Sequence, residues 1–306
     1  MKLNFELQPL TWDNYLALTN YIDNSNYDLE FWSPIALMMW SFYGVKFYFH
    51  ILENNKGIVF YIQHSKHHNK EWKVSTCFYN KQNLDLNLFI QTFKIDLTYL
   101  NGSDDIKYNN ISEQMINDFN IDINNVHKIN YVSNYIYETQ VLKTFQGKKL
   151  QKKRNHLNFF LKHYSSYVQI KQISEIDDNT ILEFCQKHII EFQGKLNESE
   201  MACYEQLVRT ERYKDSNYKG IAIYIDGTLV ALTLCYLRKN ICEILIEKAS
   251  KDIRGIYQYL LSENLQINNI TQQYVDREDD NGNEMLTKSK MSYYPISAIS
   301  RYATKN

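Results

Sequence analysis

The sequence has no hydrophobic run long enough to cross a bilayer. Its longest apolar stretch lies near PIALMMWSFYGV and is about 12 residues long, whereas a transmembrane helix needs roughly 20. The first residues, MKLNFELQPLTWDNY, lack the apolar core of a secretory signal and carry an acidic residue early. We therefore expect a cytoplasmic protein without a transmembrane segment, one that can still lie peripheral to the inner face of the membrane.

Cysteine is scarce and scattered. The five cysteines show neither zinc-ribbon nor redox spacing; they are Cys77, Cys185, Cys203, Cys235 and Cys242. We interpret them as reduced, mostly buried thiols. The histidines of HSKHH (His64, His67 and His68) have no carboxylate or cysteine partner at ligand spacing. We interpret this segment as a polar turn and expect no metal site.

The net charge is close to zero, and the motifs of several enzyme classes do not occur. The 34 Lys and Arg residues against 35 Asp and Glu residues give a formal net charge of -1. Whole-chain charge therefore provides no argument for a nucleic-acid or membrane partner. There is no nucleophile elbow, Walker loop or dinucleotide fingerprint. We expect no tightly bound cofactor.

The order of predicted elements indicates an α/β protein, and 306 residues favour two domains. The first part combines a helix that starts at Ser33-Pro34 with the strands VKFYFHIL, GIVFYIQ and WKVSTCFY and the helix LDLNLFIQTFKIDLTYL. The second part runs helix, strand, two helices, three-strand meander, glycine-bearing turn, helix, strand, helix. Asp226-Gly227 marks the tight turn of the meander. This second order is close to that of an acyl-CoA N-acyltransferase (GNAT) domain.

One turn of the second part combines two cations with a glycine. In EKASKDIRGIY a strand ends, the turn carries Lys251, Arg254 and Gly255, and a helix begins. Free backbone N–H groups at a helix start attract anions, and glycine lets a phosphate approach. GNAT enzymes bind the CoA pyrophosphate here, although Asp252 and Tyr257 occupy positions that are cationic and small in those enzymes. The turn predicts either a phosphate site or an ordinary loop with solvated cations.

The helix GKKLQKKRNHLNFFLKHY has a strongly basic start. No acidic residue occurs between Glu138 and Glu175. Cations at a helix N-terminus oppose the macrodipole, which suggests a site for an anion: an RNA phosphate, a CoA phosphate or a lipid headgroup. The candidate phosphate-binding residues are Lys152, Lys153 and Arg154. The alternative is a solvated helix face.

The stretch YVDREDDNGNEMLTKSKMSYYP contains the remaining candidates. Arg277, Glu278 and Asp279 follow a predicted strand, at an edge where mixed α/β domains often place working groups. Lys290 and Tyr293 share one face of the last predicted helix, and either can donate a proton or hold an anion when buried. Helix capping and the helix dipole explain the other polar residues, which are Asp280, Asn283 and Glu284.

Several of these segments together resemble an uncharacterised bacterial family. The family is labelled by similarity to the C-terminal domain of phosphatidylglycerol lysyltransferase. The segments are NYIYETQVLKTFQGKKLQKKRNHLNFFLKHY, IEKASKDIRGIYQYL, the stretch above and YDLEFWSPIALMMWSFYGVKFYFHI, so the resemblance covers nearly the whole chain. The family pattern Tyr-Val-Asn-Arg-Glu-x-Asp-x-Gly differs here in one position, because Asp276 stands where Asn is usual.

The resemblance implies an α/β (α+β) fold with two tandem GNAT-like domains, 1–130 and 131–306, each a mixed sheet flanked by helices. Its relatives by fold include lysyltransferases and Fem-type peptidyltransferases, which move an aminoacyl group from charged tRNA to an amine or a lipid hydroxyl. By that analogy, 152–154 would meet the acceptor end of the tRNA. The second-domain cleft would be lined by Glu247, Lys248, Arg277, Glu278, Asp279, Lys290 and Tyr293.

From these residues we expect transfer of an aminoacyl or acyl group by direct attack, without a covalent enzyme intermediate. Glu278 or Asp279 would take the proton of the acceptor or hold its ammonium. Arg254 and backbone N–H groups would hold donor phosphate, and Lys290 or Tyr293 would stabilise negative charge or protonate the leaving group.

Three functions stay open on the sequence alone. An aminoacyl-tRNA donor predicts a broad basic surface, as in 143–171. An acyl-CoA donor predicts a glycine-rich turn, which 250–257 has in part. A non-catalytic protein that binds RNA or an anionic surface is the third alternative.

Overall fold

The computed structural model describes residues 7–28, 31–64 and 70–305, apart from the side chains of 131–133. His67 and His68 of the predicted polar turn therefore lie outside the described residues. The chain forms two compact units. One contains the residues up to Ser133 and those from Ile299 onward, and the other contains Asn134–Ala298. The predicted division into GNAT-like domains at residue 130 stays a prediction.

The first unit is built on an antiparallel sheet with the order β1-β2-β3-β4. The strands are β1 (Gln8–Pro9), β2 (Val45–Ile51), β3 (Gly57–His64) and β4 (Lys73–Tyr79). The helices are α1 (Tyr15–Asn24), α2 (Pro34–Ser41), α3 (Leu86–Asn101) and α4 (Glu113–Asp118). The predicted helix start is confirmed, because the Ser33 side chain accepts a hydrogen bond from the Ala36 N–H. Apolar residues of α3, among them Phe89 and Phe93, pack on the sheet.

The first unit also contains a strand pair that the sequence did not predict. β5 (Asn109–Ser112) pairs antiparallel with β12 (Ser297–Thr304), which lies at the other end of the chain. Such long-range pairing has no local sequence signal, and the polar composition of 100–130 obscured β5.

The second unit contains a mixed sheet with the order β6-β11-β10-β9-β8-β7. The strands are β6 (Val126–Glu138, which begins in the first unit), β7 (Val168–Gln172), β8 (Tyr218–Ile225), β9 (Thr228–Leu237), β10 (Ile241–Ala249) and β11 (Tyr274–Asp276). The helices are α5 (Thr139–Thr144), α6 (Gln151–Tyr164), α7 (Asp178–Gln193), α8 (Glu198–Arg209), α9 (Ile256–Ile267) and α10 (Glu284–Met291). The predicted element order and the α/β (α+β) class are confirmed.

A bulge in β10 changes the side of the sheet that its later residues face. Glu243 pairs with Tyr236 before the bulge, Glu247 pairs with Thr233 after it, and Leu245 is the extra residue. Strand side chains alternate with period two, so Tyr236 and Thr233 face opposite sides of the sheet. Glu243 and Glu247 therefore face opposite sides as well, although their spacing of four would place them together in a regular strand.

The strands β10 and β11 separate soon after they pair. They run parallel, and only 241–243 of β10 pair with 274–276 of β11. β10 continues to Ala249, whereas β11 ends at Asp276. The two strands are therefore no longer paired beside the second half of β10, and we refer to this place, at the C-terminal end of β11, as the cleft.

Candidate functional site

An ion pair joins the two walls of this cleft. Arg277 donates from Nη2 and Nε to Glu247 Oε2, at 2.7 and 3.0 Å, and the two side chains are 7% and 12% exposed. The bulge in β10 is what turns Glu247 toward Arg277. Among the residues that the structure describes, Glu247 Oε1 and Arg277 Nη1 are buried without a hydrogen-bond partner. Buried polar atoms are nearly always paired, so an orphan acceptor and an orphan donor in one ion pair indicate a place for a ligand.

The ring of Tyr293 brings a second cation to the ion pair. Lys153 Nζ lies 3.7 Å and Arg277 Cζ 4.6 Å from the ring centroid, both in cation–π distance. The Tyr293 hydroxyl accepts a hydrogen bond from Gln258 Nε2 at 2.6 Å. Burial raises the pKa of Tyr293, so the phenol keeps its proton. Burial, followed by the charges of Arg277 and Lys152, lowers the pKa of Lys153 to about 8.

Lys290 holds the loop that follows β11. Its Nζ donates to the backbone carbonyls of Arg277, Glu278 and Asp279, and burial lowers the pKa of its ammonium. Glu278 has a φ of +53°, in the left-handed region that costs a non-glycine residue energy. Lys290 therefore acts as a positioning residue that stabilises this loop conformation.

The Glu278 carboxyl is surrounded by other acidic residues, among them Asp276 and Glu243. Glu243 and Asp276 are register partners on β10 and β11 and are fully buried. Arg238 Nη1 pairs with Glu243 at 3.1 Å, and Asp276 Oδ2 accepts from Asn134 Nδ2 at 2.6 Å. Burial, followed by the charges of Asp276 and Glu243, raises the pKa of Glu278 well above its usual range. Burial and the neighbouring carboxylates therefore favour the protonated form of Glu278.

This cluster predicts how stability depends on pH. Burial, followed by the charge of Glu243, raises the pKa of Asp276 to about 8 from an ordinary value near 4. Between these values the native protein binds more protons than the unfolded chain, so stability falls as pH rises, by up to about 1.4 kcal/mol per pH unit. Asp276→Asn, which introduces the residue usual in the family pattern, should flatten this slope. Urea unfolding from mildly acidic to mildly basic pH measures it, and an unchanged slope would contradict the assignment.

Lys248 faces the other side of the sheet from Glu247. Its Nζ donates to Glu200 Oε1 at 2.8 Å, and Glu200 Oε1 also accepts from the Tyr204 hydroxyl at 2.8 Å. The two charged side chains are 15% and 13% exposed. Lys248 therefore forms a second ion pair, with Glu200 of α8, and does not face Arg277.

Helix packing explains the glycine of the turn before α9. Gly255 has a φ of +89°, and a Cβ added there would lie 2.2 Å from the carbonyl oxygen of His156 in α6. The glycine is required by the close approach of α6, so its presence is no argument for a phosphate. Arg254 is exposed, with its guanidinium 4.5 Å from the ring centroid of Phe159, and Lys251 is exposed as well.

The three basic residues at the start of α6 lie in three different environments. Arg154 Nη1 donates to the carbonyls of Phe145 and Gly147, at 2.5 and 3.1 Å, and so fastens the helix to the preceding turn. Lys153 points into the cleft. Lys152 is exposed. The basic helix thus supplies one cation to the cleft and one to the solvent-facing surface.

In the last part of the acidic stretch Asn283 has the capping role that the sequence predicted, whereas Asp280 binds side-chain hydroxyls instead of capping the helix. Asp280 Oδ2 accepts from the hydroxyls of Tyr135 and Thr287, at 2.6 and 2.7 Å. Asn283 caps α10 by accepting from backbone N–H groups. Asp279 Oδ1 accepts from the Asn281 N–H at 2.8 Å, and burial raises the pKa of the Asp279 carboxyl.

The structure thus brings four of the predicted residues together: Lys153, Glu247, Arg277 and Tyr293. It adds two residues that sequence reasoning missed. Gln258 lies three residues after Gly255, in the first turn of α9, and binds the Tyr293 hydroxyl. The ring centroid of Tyr137, in β6, lies 5.9 Å from the Arg277 guanidinium. Both stood in segments that carry the family resemblance, but their types are common in ordinary helices and strands.

Two further observations concern metal and membrane. Among the described residues, no group of three or more His, Cys, Asp or Glu side chains could hold a metal ion. No helix in the described ranges has the length and apolar character that crossing a bilayer requires.

Solved structures with the same architecture define the fold class. A conserved protein of unknown function from Bacteroides thetaiotaomicron has a TM-score of 0.77 at 21% identity, covering 99% of this chain and 100% of that one. FemX has a TM-score of 0.63 at 8% identity, covering 98% and 95%. L-PGS from Bacillus licheniformis has a TM-score of 0.61 at 12% identity, covering 97% and 93%. The fold is therefore the GNAT-like fold of the Fem and lysylphosphatidylglycerol synthase proteins.

Sequence comparison then gives the family. Residues 110–305 match the family described as phosphatidylglycerol lysyltransferase, C-terminal. An uncharacterized protein of Mycoplasmoides gallisepticum is 31% identical in a match 302 positions long, and the match covers 94% of each chain. The chain belongs to the phosphatidylglycerol lysyltransferase C-terminal family, and the predicted resemblance is confirmed.

Proposed function

We propose that the protein transfers an aminoacyl group from aminoacyl-tRNA to an amine or a lipid hydroxyl. The observation that carries this proposal is the ion pair with one orphan acceptor, Glu247 Oε1, and one orphan donor, Arg277 Nη1. An aminoacyl ester presents an ammonium group beside a carbonyl oxygen, so a single ligand can satisfy both atoms. The acetyl group of acetyl-CoA has a carbonyl but no ammonium, and would leave Glu247 unsatisfied.

In this reaction the acceptor lone pair attacks the ester carbonyl, and the bond from that carbon to the tRNA ribose oxygen breaks. The acceptor loses a proton and the ribose oxygen gains one. Arg277 Nη1 would stabilise the oxyanion that forms at the carbonyl oxygen. Tyr293, which burial keeps protonated, would donate the proton to the ribose oxygen.

The acceptor proton needs a base near the cleft. We assign this step to Lys153, because it lies against Tyr293 and its pKa of about 8 makes the neutral amine accessible near physiological pH. Glu278 is the alternative base. Its raised pKa makes the ionised carboxylate strongly basic, but its position among buried carboxylates favours the protonated form.

A donor comparison tests the proposal. The purified protein is given a mixture of tRNAs charged with radiolabelled amino acids, together with amine and lipid acceptors, and loss of label from tRNA into product is measured. Acetyl-CoA binding to wild type and Arg254→Ala is measured by calorimetry in parallel. We expect aminoacyl transfer without acetyl-CoA binding.

Two outcomes of the donor comparison would overturn the proposal. Acetyl-CoA binding that Arg254→Ala abolishes, without aminoacyl transfer, would replace aminoacyl-tRNA by acyl-CoA as the donor. Salt-sensitive tRNA binding without any turnover would favour the non-catalytic alternative.

A further inference from the structure

The segment from α10 to β12 exposes an unusual number of large apolar side chains. Five of them fall within 285–296, each between 45% and 79% exposed: Met285, Leu286, Met291, Tyr294 and Ile296. Single exposed apolar residues are normal on protein surfaces, whereas a cluster marks an interaction site. This segment is therefore a candidate docking surface.

The helix α10 has the reverse of the usual arrangement of a surface helix. Its inward side is polar, because Lys290 Nζ binds loop carbonyls and the Thr287 hydroxyl binds Asp280. Its most exposed apolar side chain, Met285, points to solvent. A helix at an ordinary water-facing surface places its apolar stripe inward and its lysines outward. The outward side of α10 therefore suits a partly apolar environment.

Cations in the turn before α6 and in its first turn belong to the same region. Lys149 Nζ lies 5.7 Å from the ring centroid of Tyr294, so the turn before α6 and the residues after α10 form one surface. Lys148 and Lys152 are exposed as well. The acidic residue in α10, Glu284, is exposed and lies 3.6 Å from Lys288, which offsets its charge.

We propose that this surface docks onto a phospholipid bilayer that contains anionic headgroups. We call it the apolar-basic surface, defined by Met285, Leu286, Met291, Tyr294, Ile296, Lys148, Lys149 and Lys152. Its apolar side chains enter the interfacial region of the bilayer, and its lysines attract the anionic headgroups. RNA would satisfy the lysines but leave methionine and leucine side chains in water. A protein partner could bury the apolar side chains, but it would not need the bordering lysines.

The apolar-basic surface also adjoins the candidate reaction centre. Tyr293 is 2% exposed and lies in the cleft, while its neighbour Tyr294 is 52% exposed and lies on the surface. A docked bilayer would therefore lie beside the cleft, where a lipid acceptor could be reached without a transmembrane segment. The docking itself does not depend on the proposed transfer reaction.

Vesicle co-sedimentation tests this proposal. The full chain is mixed with phosphatidylcholine vesicles with or without phosphatidylglycerol, and the bound fraction is measured. We expect binding to the anionic vesicles that weakens with salt. Met285→Ser with Leu286→Ser should lower the partition coefficient about tenfold, and Lys149→Gln about fivefold.

The matched control is Ile95→Ser with Tyr99→Ser on α3, whose side chains are 67% and 80% exposed, and it should bind as wild type does. Circular dichroism and thermal unfolding verify that each variant is folded. Absence of wild-type binding to anionic vesicles would overturn the proposal. So would equal binding by the Met285→Ser, Leu286→Ser variant, or a dimer in sedimentation that this variant dissociates. Vesicle binding is measured without aminoacyl-tRNA. Absence of vesicle binding would therefore not count against the proposed aminoacyl transfer.

Discussion

Replacing Arg277 by methionine should lower the rate of aminoacyl transfer by about a hundredfold to a thousandfold, because the donor aimed at the developing oxyanion is lost. Glu247→Gln should lower the rate too, mainly by weakening binding of the donor ammonium. Both variants also break a buried ion pair, which costs about 3–5 kcal/mol of stability when one charge is left alone. Rates are therefore measured under conditions where urea unfolding shows each variant to be folded.

A double variant separates the effect of replacing Arg277 on the transfer rate from its effect on stability. Removing both charges together leaves no unpaired buried charge, so Glu247→Gln with Arg277→Met should regain stability relative to Arg277→Met. Its transfer rate should stay as low as that of the single variant. A rate that recovers along with stability would contradict a chemical role for Arg277.

A matched ion pair elsewhere in the same unit provides the control. Arg212 Nη2 binds Asp178 Oδ1 at 2.6 Å, with 3% and 24% exposure of the two side chains. Asp178→Asn should destabilise the protein without a specific loss of transfer. If Asp178→Asn lowers the transfer rate as much as Glu247→Gln does, the lower rate results from reduced stability and not from the loss of a site residue.

Gly255→Ala should destabilise the protein by about 3 kcal/mol or more. The new Cβ would lie 2.2 Å from the His156 carbonyl oxygen, on a backbone with a φ of +89°. The helices α6 and α9 would have to separate, and α6 carries Lys153. Urea unfolding measures the stability loss, and we expect the transfer rate to fall with it.

Gly194→Ala is the control that measures only the cost of placing alanine on a backbone with positive φ. Gly194 also has a positive φ, +73°, but nothing lies within 4 Å of the position its Cβ would take. Its substitution should cost about 1 kcal/mol. Equal costs at the two glycines would mean that contact with α6 does not explain Gly255.

Local patterns were enough to predict most elements of the fold. Asp226-Gly227 predicted a tight turn because glycine accepts the positive φ that such turns need, and in the structure both residues have a positive φ, +48° and +78°. The pairing of β5 with β12 could not be predicted, because it joins residues almost two hundred positions apart and depends on tertiary packing. The bulge at Leu245 likewise has no local signal in an apolar run.

The residues of the candidate site could be predicted from the sequence, but the contacts between them could not. Arg277 and Glu247 were both named, yet their contact depends on the bulge, which decides the face of β10 that carries Glu247. Glu278 was named as a base because it is acidic and follows a strand. Burial, followed by the charges of Asp276 and Glu243, raises its pKa, and these two neighbours come from two strands and could be seen only in three dimensions.

Binding of a non-reactive donor analogue tests the central claim most directly. The analogue is a CCA trinucleotide that carries its amino acid through an amide bond, compared by calorimetry with the same molecule acetylated on the α-amino group. We predict that acetylation weakens binding to wild type about tenfold or more, because the ammonium that satisfies Glu247 Oε1 is removed. Glu247→Gln should bind both analogues alike. Equal binding of the two analogues by wild type, or a preference that survives in Glu247→Gln, would contradict the placement of the aminoacyl group at the Glu247–Arg277 ion pair.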